Sequence, residues 1–74
     1  MTREQFYRKL EEILEGESGS IKGNEELMAV KGWDSLGVLS FIAMADSVLG
    51  RTVAAGDLER CKTVDDLARA AGIQ

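Results

Sequence analysis

The sequence of 74 residues contains no histidine, no proline and a single cysteine, Cys61. Without histidine, the chain lacks the side chain that most often acts as a general base at neutral pH or as a metal ligand. One cysteine excludes an internal disulfide bond and a multi-cysteine zinc site. No apolar run approaches the length of a membrane span, and Met1–Leu10 is too charged for a signal peptide. We therefore expect a cytoplasmic protein with no metal site and no catalytic residues.

The chain length allows one domain, residues 1–74, and the formal net charge is −4. A negative net charge argues against nucleic acid as a partner, because nucleic acid binding needs a basic face. The charge suits a protein that meets basic partners, but it equally suits a small domain charged for solubility alone. Met1 at the start and the lack of linker segments favour a free-standing monomer, with an excised domain as the alternative.

The capping residues predict where the helices begin and end. Thr2 and Gln5 form a capping box for a first helix from Arg3 to Glu15, and Gly16 is its natural stop. A second helix follows after a long loop. A short helix, Asp57 to Cys61, comes after that.

The second helix and the last helix each have a capping residue at their start. Asp34 is a good N-cap for the second helix, which runs to about Leu49 before Gly50. Thr63 caps the last helix, with Asp66 at the reciprocal position and Gly72 beyond its end.

The connection from residue 17 to residue 34 is rich in glycine, serine and charge. A loop of this length in a small domain usually has a function. We expect Leu27, Met28 and Val30 to hold it against the core, as a single helical turn capped by Asn24. No segment alternates as a strand does. The sequence therefore predicts an all-α fold, a small four-helix bundle with three main helices, one short helix and a long loop between helices 1 and 2.

The second helix has two apolar faces on a helical wheel. Leu36, Leu39 and Ala43 lie on the side that includes Ser35, away from the predicted core face. A domain this small has too little core to bury both faces. We interpret the Ser35 side as a contact surface, although singly exposed apolar residues are common. The predicted core face consists of Val38, Phe41, Ile42, Ala45, Val48 and Leu49.

Ser35 directly follows the N-cap, where unpaired backbone N–H groups and the helix dipole favour an anion. The segment Gly32–Gly37 superficially resembles a hydrolase nucleophile elbow, but its first glycine lies one residue too far from the serine. The chain also has no histidine to accept the hydroxyl proton. From these residues alone, Ser35 is either a modified serine that another enzyme activates or an ordinary polar residue of a first turn.

The run Gly32-Trp33-Asp34-Ser35-Leu36 resembles the Asp-Ser-Leu attachment motif of the acyl carrier and peptidyl carrier protein family. The similarity extends through the Arg51-Thr52-Val53 loop to Thr63-Val64-Asp65-Asp66-Leu67. It implies a covalent 4′-phosphopantetheine on Ser35, transferred from coenzyme A by a magnesium-dependent phosphopantetheinyl transferase. The thiol of the arm would then hold a cargo as a thioester.

The same resemblance implies partners rather than an enzymatic activity. An acyl or aminoacyl ligase or transferase would load the arm, and downstream biosynthetic enzymes would process the cargo. Asp34, Leu36, Leu39 and Ala43 match positions that such partners read. The alternative is a helical protein-interaction module that uses the Leu36, Leu39 and Ala43 face and is never modified.

The charge pattern departs from that of the primary bacterial fatty-acid carriers, which resemble one another in a densely acidic second helix. Here the only acid of that helix is Asp46. The resemblance therefore favours a specialised acyl, hydroxyacyl or aminoacyl pathway. Most of the negative charge lies in the first helix and the first loop, at Glu11, Glu12, Glu15, Glu17, Glu25 and Glu26.

Four other residues have a plain structural interpretation. Trp33 either packs on the core or braces the arm, and packing is the commoner role of a loop aromatic. Cys61 is expected to behave as a small buried hydrophobe. Glu11 and Glu12 are adjacent on a helix and point in different directions, so we expect both to be solvated.

Overall fold

The computed structural model describes residues 1–73 as four α-helices joined by loops. The helices span Arg3–Ile13 (α1), Ser35–Leu49 (α2), Ala55–Glu59 (α3) and Val64–Ala70 (α4). The predicted all-α fold with three main helices and one short helix is confirmed. Within residues 1–73, the only β pairing is an isolated bridge between Glu26 and Thr63. No helix in this part of the chain is long and apolar enough to cross a membrane.

The predicted capping boxes of α1 and α4 are both present. Thr2 Oγ1 accepts a hydrogen bond from the N–H of Gln5, and Gln5 Oε1 accepts one from the N–H of Thr2. In α4, Thr63 Oγ1 accepts from the N–H of Asp66, and Asp66 Oδ2 accepts from the N–H of Thr63. These reciprocal bonds satisfy N–H groups that have no acceptor inside the helix, so each helix begins at the predicted residue.

Helix α1 ends at Ile13, two residues before the predicted end. The N–H of Gly16 donates to the carbonyl of Glu11 at 2.8 Å, and the N–H of Glu15 donates to that of Glu12 at 3.2 Å. This pair of bonds is a Schellman motif. The left-handed residue of the motif is Glu15, with φ 58°, instead of the glycine that usually occupies this position. Gly16 therefore follows the left-handed residue and does not itself end the helix.

The predicted turn in the long loop exists as a 3₁₀ turn, Leu27–Ala29. Its N-cap is Glu26, and it has no side-chain cap, so the predicted role of Asn24 is wrong. Leu27 is buried and Val30 is half-buried, as expected, but Met28 is 98% exposed. Neighbouring residues of a turn point in different directions, so once Leu27 enters the core Met28 points to solvent.

Helix α3 begins two residues earlier than predicted and ends at Glu59 instead of Cys61. The sequence predicts Asp57 as the first residue of this helix. In the structure it lies inside the first turn, and its Oδ2 accepts a hydrogen bond from the N–H of Ala54 at 3.3 Å. Asp57 therefore lies at the third helical position, and its carboxylate is the acceptor for the N–H of Ala54, the N-cap residue of α3.

The core is centred on two aromatic rings. Phe6 of α1 and Phe41 of α2 are fully buried and meet edge to face, with 6.0 Å between ring centroids. Leu10 of α1 and Val64 and Leu67 of α4 are also fully buried around them. The three main helices thus share one apolar interior, which is the main source of stability in a chain of this length.

The predicted core face of α2 is correct at its centre and wrong at one end. Phe41 and Ala45 are fully buried, whereas Val48 is 49% exposed. Val48 lies in the last turn of α2, on an open groove that Met1 also lines. Met44, which the wheel did not assign to the core, is 5% exposed. The remaining predicted residues are half-buried: Val38, Ile42 and Leu49.

A polar contact joins the two ends of the described chain. Asp65 Oδ1 of α4 accepts hydrogen bonds from Arg3 Nη1 at 2.7 Å and from the Tyr7 hydroxyl at 2.6 Å. Burial and the bond to Asp65 raise the pKa of Tyr7. Because the Arg3–Asp65 pair is about one-third exposed, we assign it to orientation of α1 against α4 more than to net stability.

Replacement of the central aromatic should be costly. We expect Phe41→Ala to lower the free energy of unfolding by about 3–5 kcal/mol, because it leaves a cavity between α1 and α2. Val48→Ala, on the same helix, should change it by at most about 0.5 kcal/mol, because the side chain is already half in solvent. Urea unfolding followed by circular dichroism measures both. Similar midpoints for the two variants would contradict the packing described above.

Candidate functional site

Ser35 is the first residue of α2, and it is exposed. The preceding Asp34 has extended backbone angles, and its Oδ1 accepts a hydrogen bond from the N–H of Gly37 at 3.0 Å. The carbonyl of Asp34 accepts from the N–H of Val38 at 2.8 Å. The N-cap prediction for Asp34 is therefore confirmed. By helix geometry, the N–H groups of Ser35 and Leu36 have no intrahelical acceptor, so the hydroxyl of Ser35 lies beside free donors at the positive end of the dipole.

A tight turn delivers the chain to this N-cap. The N–H of Trp33 donates to the carbonyl of Val30 at 3.2 Å, and the N–H of Asp34 donates to the carbonyl of Gly32 at 3.0 Å. Gly32 has φ 91°, a backbone conformation that side-chain-bearing residues rarely adopt. The turn therefore depends on glycine at position 32, and it ends with Ser35 facing solvent.

A groove of about 430 Å³ lies beside Ser35, between α2 and α3. Trp33 forms one of its walls and also contacts the core, with its ring edge to face on Phe41 at 5.9 Å. The packing interpretation of Trp33 is thus confirmed, and the same ring also borders the space next to Ser35. The groove is lined by Trp33, Ser35, Val38, Leu39, Ala55, Leu58 and Glu59.

The family model described as the phosphopantetheine attachment site matches residues 4–71. The chain belongs to this family. The search of curated proteins and the search of solved structures give no match. Residues 4–71 run from the first turn of α1 to the end of α4, so the match covers every helix described above.

Membership confirms the resemblance seen in the sequence. A protein of this family is a carrier and not an enzyme, and its covalent cofactor is 4′-phosphopantetheine. It interacts with a phosphopantetheinyl transferase and with enzymes that load and process its cargo. The surroundings of Ser35 fit this cofactor, because an exposed hydroxyl, free backbone donors for a phosphate and an adjacent groove for an arm lie together.

The carrier exposes a second apolar surface on α2, next to Ser35. Leu36 is 72% exposed and Leu39 is 63% exposed, and Ala43 is exposed in the same row. We call these three residues the apolar patch. The only charged residue of α2 is Asp46, so the helix itself contributes a single negative charge to this surface.

The expectation that Glu11 and Glu12 are both solvated is wrong for Glu11. Its side chain is 4% exposed, whereas that of Glu12 is 72% exposed. Glu11 Oε1 accepts from the N–H of Gly19 at 3.1 Å, and Oε2 accepts from the N–H of Ile21 at 2.8 Å. Arg8 lies 3.3 Å from the same carboxylate. The two adjacent side chains do point in different directions, as assumed. Glu12 points to water, whereas Glu11 points to the loop that folds back onto α1.

Cys61 is half-buried against the core and is not a fully buried hydrophobe. Its Sγ donates to the carbonyl of Asp57 at 3.5 Å. Burial, followed by the nearby carboxylates of Asp66 and Asp57, raises the pKa of the thiol. A thiol with a raised pKa is a poor nucleophile, which agrees with a packing role.

Sequence reasoning missed the contribution of α3 to the groove. Ala55, Leu58 and Glu59 lie across from Ser35, but nothing local marks them as neighbours of the second helix. Leu58 is buried and holds α3 on the core. The only local signal is that Leu58 is an apolar residue within a short helix. It predicts that this helix packs on the core, but not that it forms a wall of the groove beside Ser35.

The loop that leads to the site should depend on Glu11. We expect Glu11→Gln to lower the free energy of unfolding by about 1–3 kcal/mol, because one buried N–H of the loop loses its acceptor. Glu12→Gln is the matched control and should change it by at most about 0.5 kcal/mol. Urea unfolding gives the free energies, and amide hydrogen exchange at Gly19 and Ile21 reports the loop itself. Equal exchange rates in the two variants would show that Glu11 does not hold the loop.

Proposed function

We propose that this chain is a carrier for a specialised acyl, hydroxyacyl or aminoacyl pathway, with 4′-phosphopantetheine attached to the hydroxyl of Ser35. The supporting observation is the place of Ser35 in the fold. Of the five serines of the chain, it alone begins a helix, and it alone lines the groove between α2 and α3. Ser18 and Ser20 lie in the long loop, and Ser40 and Ser47 lie within α2.

The chain's own residues present the hydroxyl without activating it. The nearest carboxylate along the chain, Asp34, is engaged as the N-cap through its bond from Gly37. The chain has no histidine to accept a proton. The base must therefore come from the transferase. Once the phosphodiester is formed, the N–H groups of Ser35 and Leu36 and the helix dipole stabilise its charge by about 0.3–1 kcal/mol.

The cofactor supplies a terminal thiol that holds the cargo as a thioester. The protein residues keep the other end of the arm on a defined surface. Trp33, Val38 and Leu39 provide apolar contacts where the arm leaves Ser35. These contacts reduce the freedom of a flexible arm, which favours delivery of the cargo to a docked partner.

The scarcity of acidic residues in α2 supports the specialised pathway. An acidic second helix would steer basic enzymes over long distances, and salt would weaken that attraction. Here the apolar patch borders Ser35, and the only acid of the helix, Asp46, lies in its C-terminal part. We therefore propose that Asp34, Leu36, Leu39 and Ala43 form the surface that partners read, through contacts that depend mainly on shape.

The attachment site has a direct test. The apo protein is incubated with coenzyme A, magnesium and a broad-specificity phosphopantetheinyl transferase, and the intact mass is measured. Wild type should gain one phosphopantetheinyl group, and Ser35→Ala should gain none while its circular dichroism stays unchanged. Ser47→Ala, an exposed serine of the same helix, is the control and should be modified as wild type is. Modification of Ser35→Ala would refute the assignment, and an unmodified wild type would favour the unmodified interaction module.

The apolar patch has a separate test on the holo protein. We expect Leu39→Glu to slow loading by the acyl or aminoacyl ligase sharply, because a charge is placed where apolar contact is needed. Val48→Glu is the matched control, since Val48 is also about half exposed on α2 but lies in its last turn. Glu12→Gln should have little effect.

Ionic strength separates the two kinds of recognition. Loading of wild type should change little between low and high salt if the patch governs docking. Normal loading of Leu39→Glu, together with loss of wild-type loading at high salt, would show that charge and not the patch controls the encounter.

A further inference from the structure

Gly37 lies inside the first turn of α2, although glycine is a poorer helix former than alanine. The residue is buried. A Cβ atom at this position would lie 2.2 Å from the carbonyl oxygen of Gly32 and 3.0 Å from Leu14 Cδ2. Carbon–oxygen contacts are normally no closer than about 3.3 Å. The absence of a side chain therefore allows the first turn of α2 to lie directly on the peptide of Gly32.

Gly32 also lies close to the end of α1. A Cβ atom on Gly32 would lie 3.0 Å from the carbonyl oxygen of Leu14, the C-cap residue of α1. The peptide of Gly32 is thus held between the end of α1 and the start of α2. We call Leu14, Gly32 and Gly37 the glycine seam.

The glycine seam contacts the residues on both sides of Ser35. The carbonyl oxygen of Gly32, which abuts Gly37, also accepts the hydrogen bond from the N–H of Asp34 at 3.0 Å. The N–H of Gly37 in turn donates to Asp34 Oδ1 at 3.0 Å. Ser35 lies between Asp34 and Gly37 in the chain, so the seam restrains the backbone of Ser35 from both directions.

The body of α2 is anchored independently of this seam. Phe41, Met44 and Ala45 are buried in the core one to two turns further on. A side chain added at position 37 would therefore act on the first turn alone and bend it away from Gly32. Ser35 would move relative to Leu39 and Ala43, which stay with the body of the helix.

We propose that Gly37 is a positioning residue for modification of Ser35. It acts through the peptide of Gly32 and the cap of Asp34, and it keeps the Ser35 hydroxyl in register with Leu39 and Ala43, the part of the apolar patch that lies on the body of the helix and on which the transferase docks. This inference rests on the proposed function, that Ser35 is the attachment residue. Gly37 itself touches neither cofactor nor substrate.

The test compares two alanine substitutions of helical glycines. Gly37→Ala should shift the first turn by about 1 Å, and a displacement of that size lowers kcat of the transferase by up to about 10²-fold. The KM for the apo carrier should change less than kcat, because Leu39 and Ala43 stay in place on the body of α2 and only Leu36 of the apolar patch moves with the first turn. Gly56→Ala is the control, since nothing lies within 4 Å of a Cβ atom at Gly56 in α3. It should keep both constants.

Stability is measured on the same proteins, and rates are divided by the folded fraction from urea unfolding. A fall in rate that only follows the folded fraction, or a normal kcat in folded Gly37→Ala, overturns the inference. If Gly37→Ala does not fold, Gly32→Ala displaces the same peptide, both through contact with the carbonyl of Leu14 and through strain at its positive φ, and it should show the same kcat loss. If neither variant folds, the seam is a requirement of the fold and the inference is wrong.

An unmodified wild type has a different meaning. It would refute the proposed function, because Ser35 would then not be the attachment residue. Modification of wild type with normal kinetics in Gly37→Ala would remove only the positioning role. The two failures are therefore distinguishable in one set of assays.

Discussion

Phe41 contacts Phe6 of α1 on one side and Trp33 of the long loop on the other, edge to face at 6.0 Å and 5.9 Å between ring centroids. These two contacts set the position of α2 against both the first helix and the segment that enters it. Edge-to-face pairs are directional as well as apolar, so they orient the helix in addition to burying it. The exposure of Ser35 at the start of α2 and the groove beside Trp33 both follow from this arrangement.

Acidic side chains hold the loops of this proline-free chain. Glu11, Glu25 and Asp66 each accept hydrogen bonds from two loop N–H groups. Partial burial pushes the pKa of Glu25 upward, but the bonds from Lys22 and Gly23 outweigh it and the pKa is lowered. The backbone bonds and Arg69 lower the pKa of Asp66 to about 2. Part of the negative charge outside α2 is therefore structural and does not have to be explained by partner steering.

Helix α2 serves two surfaces with one short segment. On one side, Phe41, Met44 and Ala45 are buried in the core. A small domain buries little apolar surface, so its stability depends on all of these contacts. Leu36 and Leu39 keep the other side apolar and exposed, at some cost in solvation, beside the serine that we propose carries the arm. A carrier has no reaction to catalyse, so its specificity must lie in such a surface and in the placement of the hydroxyl on it.

The sequence alone determined the local features. The caps at Thr2, Asp34 and Thr63 depend on residues within a few positions of one another, and each was predicted correctly. The motif around Ser35 is equally local, and it predicted the family to which the chain belongs. The end of α1 and the start of α3 were not predicted correctly, because the local signals at Gly16 and Asp57 each allow more than one way to end or begin a helix. The burial of Glu11 was not predicted either, because it depends on the loop that folds back onto α1. The close approach of Gly32 to Gly37, and of α3 to Ser35, exists only once the core has brought α1, α2 and the loop together. Periodicity reports which face is apolar, but packing decides what covers it.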